Sequence, residues 1–162
     1  MITFDQTNHI FHLSNGQISY VMQIEEGGNL AHVYYGKHLA HYSGGYRYPR
    51  IDRSFSPNPP GSKDRLFSLD TLMMEFPGNG FGDFREAAYD IRHQNGSHVT
   101  HFVYQGHEIM QGKPVLAGLP QTYGDADAIE TLCLSLIDET AKLELKLSYS
   151  IFSDTAAIVR SS

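Results

Sequence analysis

Leu143-Glu144-Leu145-Lys146-Leu147-Ser148-Tyr149-Ser150-Ile151 decides the fold class. Odd positions are apolar and even positions polar or charged. This period of two places alternate side chains on opposite faces of a strand. One face is expected to be dry and the other wet, with Lys142, Glu144 and Lys146 forming a solvated row that contributes little energetically. Upstream, Leu132, Leu134 and Leu136 alternate with Cys133 and Ser135, and Asp138-Glu139 lies between the two runs.

Working outward, the punctuation is that of hairpins. Apolar runs at residues 10–13 and 18–24 flank Asn15-Gly16, and Gly27-Gly28 precedes a further run at 30–35. Asn-Gly between apolar runs predicts a type I′ turn, in which both central residues have positive φ. A second Asn95-Gly96 separates Tyr89-Asp90-Ile91 from residues 98–104, predicting another hairpin. No amphipathic helix, internal repeat or low-complexity tract interrupts this pattern. The reading is all-β, a sandwich or barrel, with residues 1–162 forming one domain.

Composition limits the function. A formal net charge of −6 argues against nucleic acid, which requires a clustered excess of Lys and Arg. No apolar run approaches the roughly 18 residues of a membrane span. Met1-Ile2-Thr3-Phe4-Asp5 has neither the basic nor the apolar region of a secretory signal, so a cytoplasmic protein is expected. The single Cys133 excludes an internal disulfide and is read as a buried, inert thiol.

Residues 41–64 break the strand pattern, and a loop of that length inside a compact domain is usually functional. It carries Tyr42, Tyr46, Tyr48 and Phe55 beside Arg47, Arg50 and Arg53, stiffened by Pro49, Pro57, Pro59 and Pro60. The glycine-rich stretch at 77–85 is expected to pack beneath it. Vicinal sugar hydroxyls suit this composition, because carboxylates and guanidinium forks bind them through paired hydrogen bonds while aromatic rings cover apolar sugar faces. Asp52 and Arg65 bracket the proline-rich turn and are the candidate ligand-binding pair. In the competing arrangement, Arg50, Arg53, Asp52 and Asp64 pair among themselves to hold the loop down.

Other chemistry finds little support. The serines lack a strand-elbow-helix context, and Cys133 has no electropositive neighbour. His98 and His101 would point to opposite faces of a strand, as would His107 and Glu108, so no metal site is expected. Gly78-x-Gly80-x-Gly82 does not match a phosphate-cradling fingerprint, and no cofactor is called for. Asp52, Asp64, Asp70, Glu75, Asp83 and Glu86 are catalytic carboxylates by type only. Nothing in their spacing places two on one wall of a pocket.

Several stretches carry a resemblance. Residues 30–37 (Leu30-Ala-His-Val-Tyr-Tyr-Gly-Lys37), 50–59 (Arg50-Ile-Asp-Arg-Ser-Phe-Ser-Pro-Asn-Pro59) and 67–77 (Phe67-Ser-Leu-Asp-Thr-Leu-Met-Met-Glu-Phe-Pro77) resemble the N-terminal region of bacterial family 36 glycoside hydrolases, the α-galactosidases acting on melibiose and raffinose sugars. Gly82-Asp83-Phe84-Arg85 with Ala88-Tyr89, and Gly112-Lys113-Pro114 with Gly118-Leu119-Pro120, extend the match across essentially the whole chain; Glu86-Ala87 departs from it where a proline is expected. The resemblance implies an antiparallel β-supersandwich of the galactose-mutarotase-like type. It further implies a following (β/α)₈ barrel that holds both catalytic aspartates, so no catalytic residue is assigned in this chain. In tetrameric members this domain reaches a neighbour's active site, where an Asp and an Arg matching Asp52 and Arg65 line the galactose pocket. The expectation is therefore a homo-oligomeric parent enzyme, with this portion inert alone. The rivals are a free-standing carbohydrate-binding or mutarotase-like module and a purely structural oligomerisation domain. Ala156-Ala157-Ile158-Val159-Arg160-Ser161-Ser162 reads as a strand with no closing turn, so an incomplete sandwich with an open edge is expected.

Overall fold

The computed structural model describes residues 1–45, 50–52, 55 and 57–162. Among them, strands β1 (Ile2–Asp5), β2 (Ile10–Ser14), β3 (Ile18–Ile24) and β4 (Leu30–Lys37) form one antiparallel sheet in chain order. Strands β5 (Val103–Gln111), β6 (Ile129–Asp138), β7 (Leu143–Phe152) and β8 (Ile158–Ser161) form the second, also in chain order. The sheets pack face to face as the sandwich expected from the period-two pattern. Phe11, Leu13, Tyr20 and Met22 from the first sheet meet Leu132, Leu134, Leu147, Tyr149 and Ile151 from the second. Burying each large apolar side chain contributes about 1.5–3 kcal/mol, so this layer holds the sandwich shut.

The first hairpin forms with a different turn. Gly16 has φ 84°, but Asn15 does not have positive φ. Gly16 and Gln17 are therefore the two loop residues, with Gly at the first central position as in a type II′ turn. Asn15 instead uses its side chain: Oδ1 accepts from the backbone N–H groups of Gln17 and Ile18, and Nδ2 donates to Phe152 O and Thr155 O. The hairpin tip is thereby tied to the end of β7.

The second Asn-Gly makes a turn without a hairpin. Gly96 N–H donates to His93 O, and His93 N–H donates to Ser97 O, both at 2.9 Å, yet neither flank is a strand. Side chains occupy these flanks instead. His93 Nε2 lies 2.9 Å from Thr100 Oγ1, Tyr89 donates to Thr100 O, and His98 pairs with Asp90. Strand pairing begins only at Val103 and runs to Gln111, across a bulge between Tyr104 and Gly106 that disguises its alternation.

Two expectations about the outer face of the second sheet also change. Ser150 is buried, its hydroxyl 2.8 Å from that of Thr131, which donates to Gly112 O at 2.6 Å. That face is therefore wet around Glu144 and Lys146 and dry at its other end. Cys133 is half-buried between its strand partners Glu108 and Ser148, with its thiol pKa raised by burial.

The β3–β4 pairing is broken by a bulge between Val21 and Met22. Residues three apart on a regular strand face opposite ways. Here the bulge brings both His32 and Tyr35 against the ring of Tyr20, at centroid distances of 4.9 and 5.7 Å. β4 then leads into the long connection to the second sheet. Phe67, Leu69 and Leu72 of that connection form a small second core with Ala31.

Candidate functional site

Asp52 and Arg65 come together. Arg65 Nε donates to Asp52 Oδ1 at 2.8 Å, and the two side chains are 72% and 57% exposed for Arg65 and Asp52 respectively. Among the described residues the Arg65 Nη groups take no further hydrogen bond. Ile51 and Phe55, flanking Asp52 in sequence, are exposed as well. The result is an acceptor and a forked donor side by side on the exposed surface, in a stretch that also displays apolar side chains.

Arg50 and Asp64 of the loop work inward. Arg50 pairs with Asp64 through Nη1 and lies 3.6 Å from Glu25 through Nη2, with its guanidinium over the buried ring of Phe67 at 5.3 Å. Asp64 Oδ1 accepts from the Leu66 N–H, and Asp64 O from the Phe67 N–H. Ser62 reaches Glu26 on the sheet side, at 2.7 Å. Of the anchoring set anticipated from the residues, Arg50 and Asp64 do pair, whereas Asp52 pairs with the exposed Arg65 instead. Tyr46, Arg47, Tyr48, Pro49 and Arg53, singled out in the sequence, lie outside the described residues.

The glycine-rich stretch does pack against the proline-rich turn. A Cβ on Gly82, whose φ is 82°, would sit 3.0 Å from Pro57 O, so any side chain there would strain the backbone and push the two segments slightly apart. Phe81 stacks flat on His101, with centroids 3.9 Å apart, and His101 Nε2 lies 2.9 Å from Asn29 Oδ1. Together with Pro59, Pro60, Lys63 and Phe67 these residues line an open cleft of about 690 Å³.

Two of the carboxylates read by type, Asp83 and Glu75, take structural roles. Asp83 is buried and holds Arg85, whose Nη2 also donates to Leu69 O and Leu72 O and so closes the turn between them. Glu75 lies at the junction of the sheets with its side chain 1% exposed. It accepts from the hydroxyls of Tyr20 and Tyr149, pairs with Arg160 at 2.8 Å and lies 3.3 Å from His32. Burial, and then Glu75, push both phenol pKa values far up, so both remain donors. For Arg160 burial works the other way and is the largest single effect, but Glu75, Tyr149 and Tyr20 together outweigh it and the guanidinium pKa is raised. Among the described residues no three His, Cys, Asp or Glu side chains are placed to hold a metal ion, and no helix is long and apolar enough to cross a membrane.

This sandwich, with a displayed acid–arginine pair on its long connection, matches a family model: residues 28–162 fit the glycosyl hydrolase family 36 N-terminal domain. The chain belongs to that family.

The family 36 domain is 45% identical over 162 residues to alpha-galactosidase 1 of Pediococcus pentosaceus, covering 99% of this chain and 22% of that protein. It is likewise 45% identical over 161 residues to alpha-galactosidase AgaA of Geobacillus stearothermophilus, again covering 22% of the relative. The crystal structure of the G. stearothermophilus family 36 alpha-galactosidase AgaB superposes with a TM-score of 0.91 at 43% identity, over 99% of this chain and 22% of that one. AgaA variants solved in complex with stachyose and with raffinose superpose at 0.87 and 47% identity, over 94% of this chain and 21% of theirs. The family 36 domain therefore spans about a fifth of the length of the relatives it matches. Two features of its site escaped the sequence reading. Glu75 appeared only as one acid among six, and Asn58, whose amide binds two backbone carbonyls beside Arg65, was not singled out.

Proposed function

We propose that this chain is the N-terminal portion of an α-galactosidase that hydrolyses terminal α-galactosides of the raffinose and stachyose kind with retention. In this reading it supplies a substrate-lining loop and subunit contacts in a cytoplasmic homo-oligomer, as the first part of a larger supersandwich, and it is inert alone. The Asp52–Arg65 pair carries the reading, because a carboxylate accepts from sugar hydroxyls and a guanidinium donates to them. Galactose would join an ion pair that is already formed, with Arg65 Nη and the second Asp52 oxygen turned to the ligand.

Chemistry would come from elsewhere in the parent enzyme. Retaining hydrolysis needs two carboxylates about 5–5.5 Å apart flanking the scissile bond. In this chain Asp64, Glu75 and Asp83 are each held by an arginine, and the latter two are buried. Asp52→Ala and Arg65→Ala in the full-length enzyme, with kinetics and oligomer mass measured on the same preparations, test the reading. Unchanged kinetics in an intact oligomer would overturn it.

A further inference from the structure

We infer that Asn58 is a positioning residue for Arg65, holding it in register for a sugar hydroxyl. The inference rests on the substrate-lining role proposed above.

An arginine 72% exposed has a long, flexible side chain, and it can address a ligand reproducibly only if its backbone is fixed. Residues 64–67 belong to no strand, so no ladder of backbone hydrogen bonds fixes them. Asn58 takes over that task. Its Nδ2 donates to Arg65 O at 2.8 Å and to Phe67 O at 2.6 Å, using both amide hydrogens on carbonyls two residues apart. Phe67 is buried in the second core with Ala31, Leu69 and Leu72. One amide group thus ties the backbone of the displayed arginine to that of a residue buried in the second core. Asn58 is itself constrained, because it stands between Pro57 and Pro59, and a residue preceding proline is confined to extended backbone. Its amide is delivered by a stiff segment rather than by a free loop. Neither Asn58 atom bonds the Arg65 side chain, so its effect on a ligand must pass through the Arg65 backbone.

The test uses the full-length enzyme and nitrophenyl α-galactoside, with Asn58→Ala and the isosteric Asn58→Asp each made alone and together with Arg65→Ala. Asp keeps the shape of Asn but has no N–H to donate and sets a charged oxygen against two carbonyls. Each single variant is expected to lower kcat/KM by about three- to tenfold, mainly through KM, with Asn58→Asp the worse. In the Arg65→Ala background the same changes should cost nothing further, because the group they position is gone. An equal loss in both backgrounds would overturn the inference, as would wild-type kinetics for both Asn58 variants while Arg65→Ala remains impaired. Loss of the oligomer in both variants would also overturn it, by making Asn58 a folding residue. If Arg65→Ala itself changes nothing, the substrate-lining reading falls first and this inference with it.

Discussion

Tyr149 donates its phenol proton to Glu75 Oε1 at 2.9 Å, and the same carboxylate accepts from Tyr20 of the opposite sheet at 2.7 Å. A single buried acid on the connection therefore fastens both layers of the sandwich at one point. Glu75→Ala would leave two buried phenols unpaired, at about 1–3 kcal/mol each, and would also release Arg160. Tyr149→Phe removes one bond to a charged group, about 1.5–3 kcal/mol. Urea unfolding of the chain should therefore rank Glu75→Ala below Tyr149→Phe, and both below wild type. A Glu75→Ala midpoint within error of wild type would refute the fastening role.

The Asp52–Arg65 pair should behave in the opposite way. Exposed ion pairs contribute at most about 1 kcal/mol, so Asp52→Ala and Arg65→Ala should leave thermal stability almost unchanged. In the full-length enzyme each should lower kcat/KM by roughly ten- to hundredfold, the loss expected for a charge-assisted hydrogen bond to substrate. Arg50→Ala supplies the contrast. It removes the anchor of Asp64 and should lower the melting temperature of the chain itself.

The isolated chain is expected to be catalytically silent. Incubated with nitrophenyl α-galactoside, it should release no nitrophenol above the buffer rate. Reproducible turnover that vanished on mutating one acid of this chain would contradict the assignment of chemistry to another part of the enzyme.

Gly82 and Gly16 have nearly equal φ, 82° and 84°, but different surroundings. A methyl at Gly16 meets nothing within 4 Å, so Gly16→Ala should cost only the strain of a positive φ, about 1–3 kcal/mol. At Gly82 the same methyl would also press on Pro57 O at 3.0 Å. Gly82→Ala should therefore destabilise more than Gly16→Ala and alter hydrogen exchange at residues 57–62. Equal effects at the two sites would show that the turn yields.

Acidification should weaken the fold from near-neutral pH downward. Burial lowers the pKa values of His12, His101 and His107; His38 and His41 add to the effect at His12, and Asp138 opposes it at His101. Each folded pKa lies below the unfolded value of about 6.5, so the unfolded chain binds protons first as pH falls. The stability contribution is complete above that value and is lost as pH drops through the folded pKa values. Melting temperature should fall between about pH 7 and pH 5, and His101→Gln should flatten part of the slope. A melting temperature that rises over this interval would contradict the burial of neutral rings.

The amino-acid sequence by itself determined the strand-rich architecture, because alternation in β6 and β7 and the turn at Asn15-Gly16 are local properties within a few residues. The loop bearing Asp52 and Arg65 was legible for the same reason: a proline-stiffened run of Arg, Asp and aromatic residues without strand period. Only the tertiary structure decided how the charges divide. Arg50 and Arg65 are alike in sequence, but one lies over the buried Phe67 ring beside Glu25, and the other faces solvent. Glu75 was illegible because its partners Tyr20 and Tyr149 lie 55 and 74 residues away. The dry end of the outer face at Ser150 depends on Thr131 and Gly112, and the facing of His32 and Tyr35 on a bulge. Periodicity reports which side of a strand a residue occupies. What covers that side is set by packing between segments distant in the chain, and packing decides whether a carboxylate becomes a buried staple, as Glu75 does, or stays in an exposed ion pair, as Asp52 does.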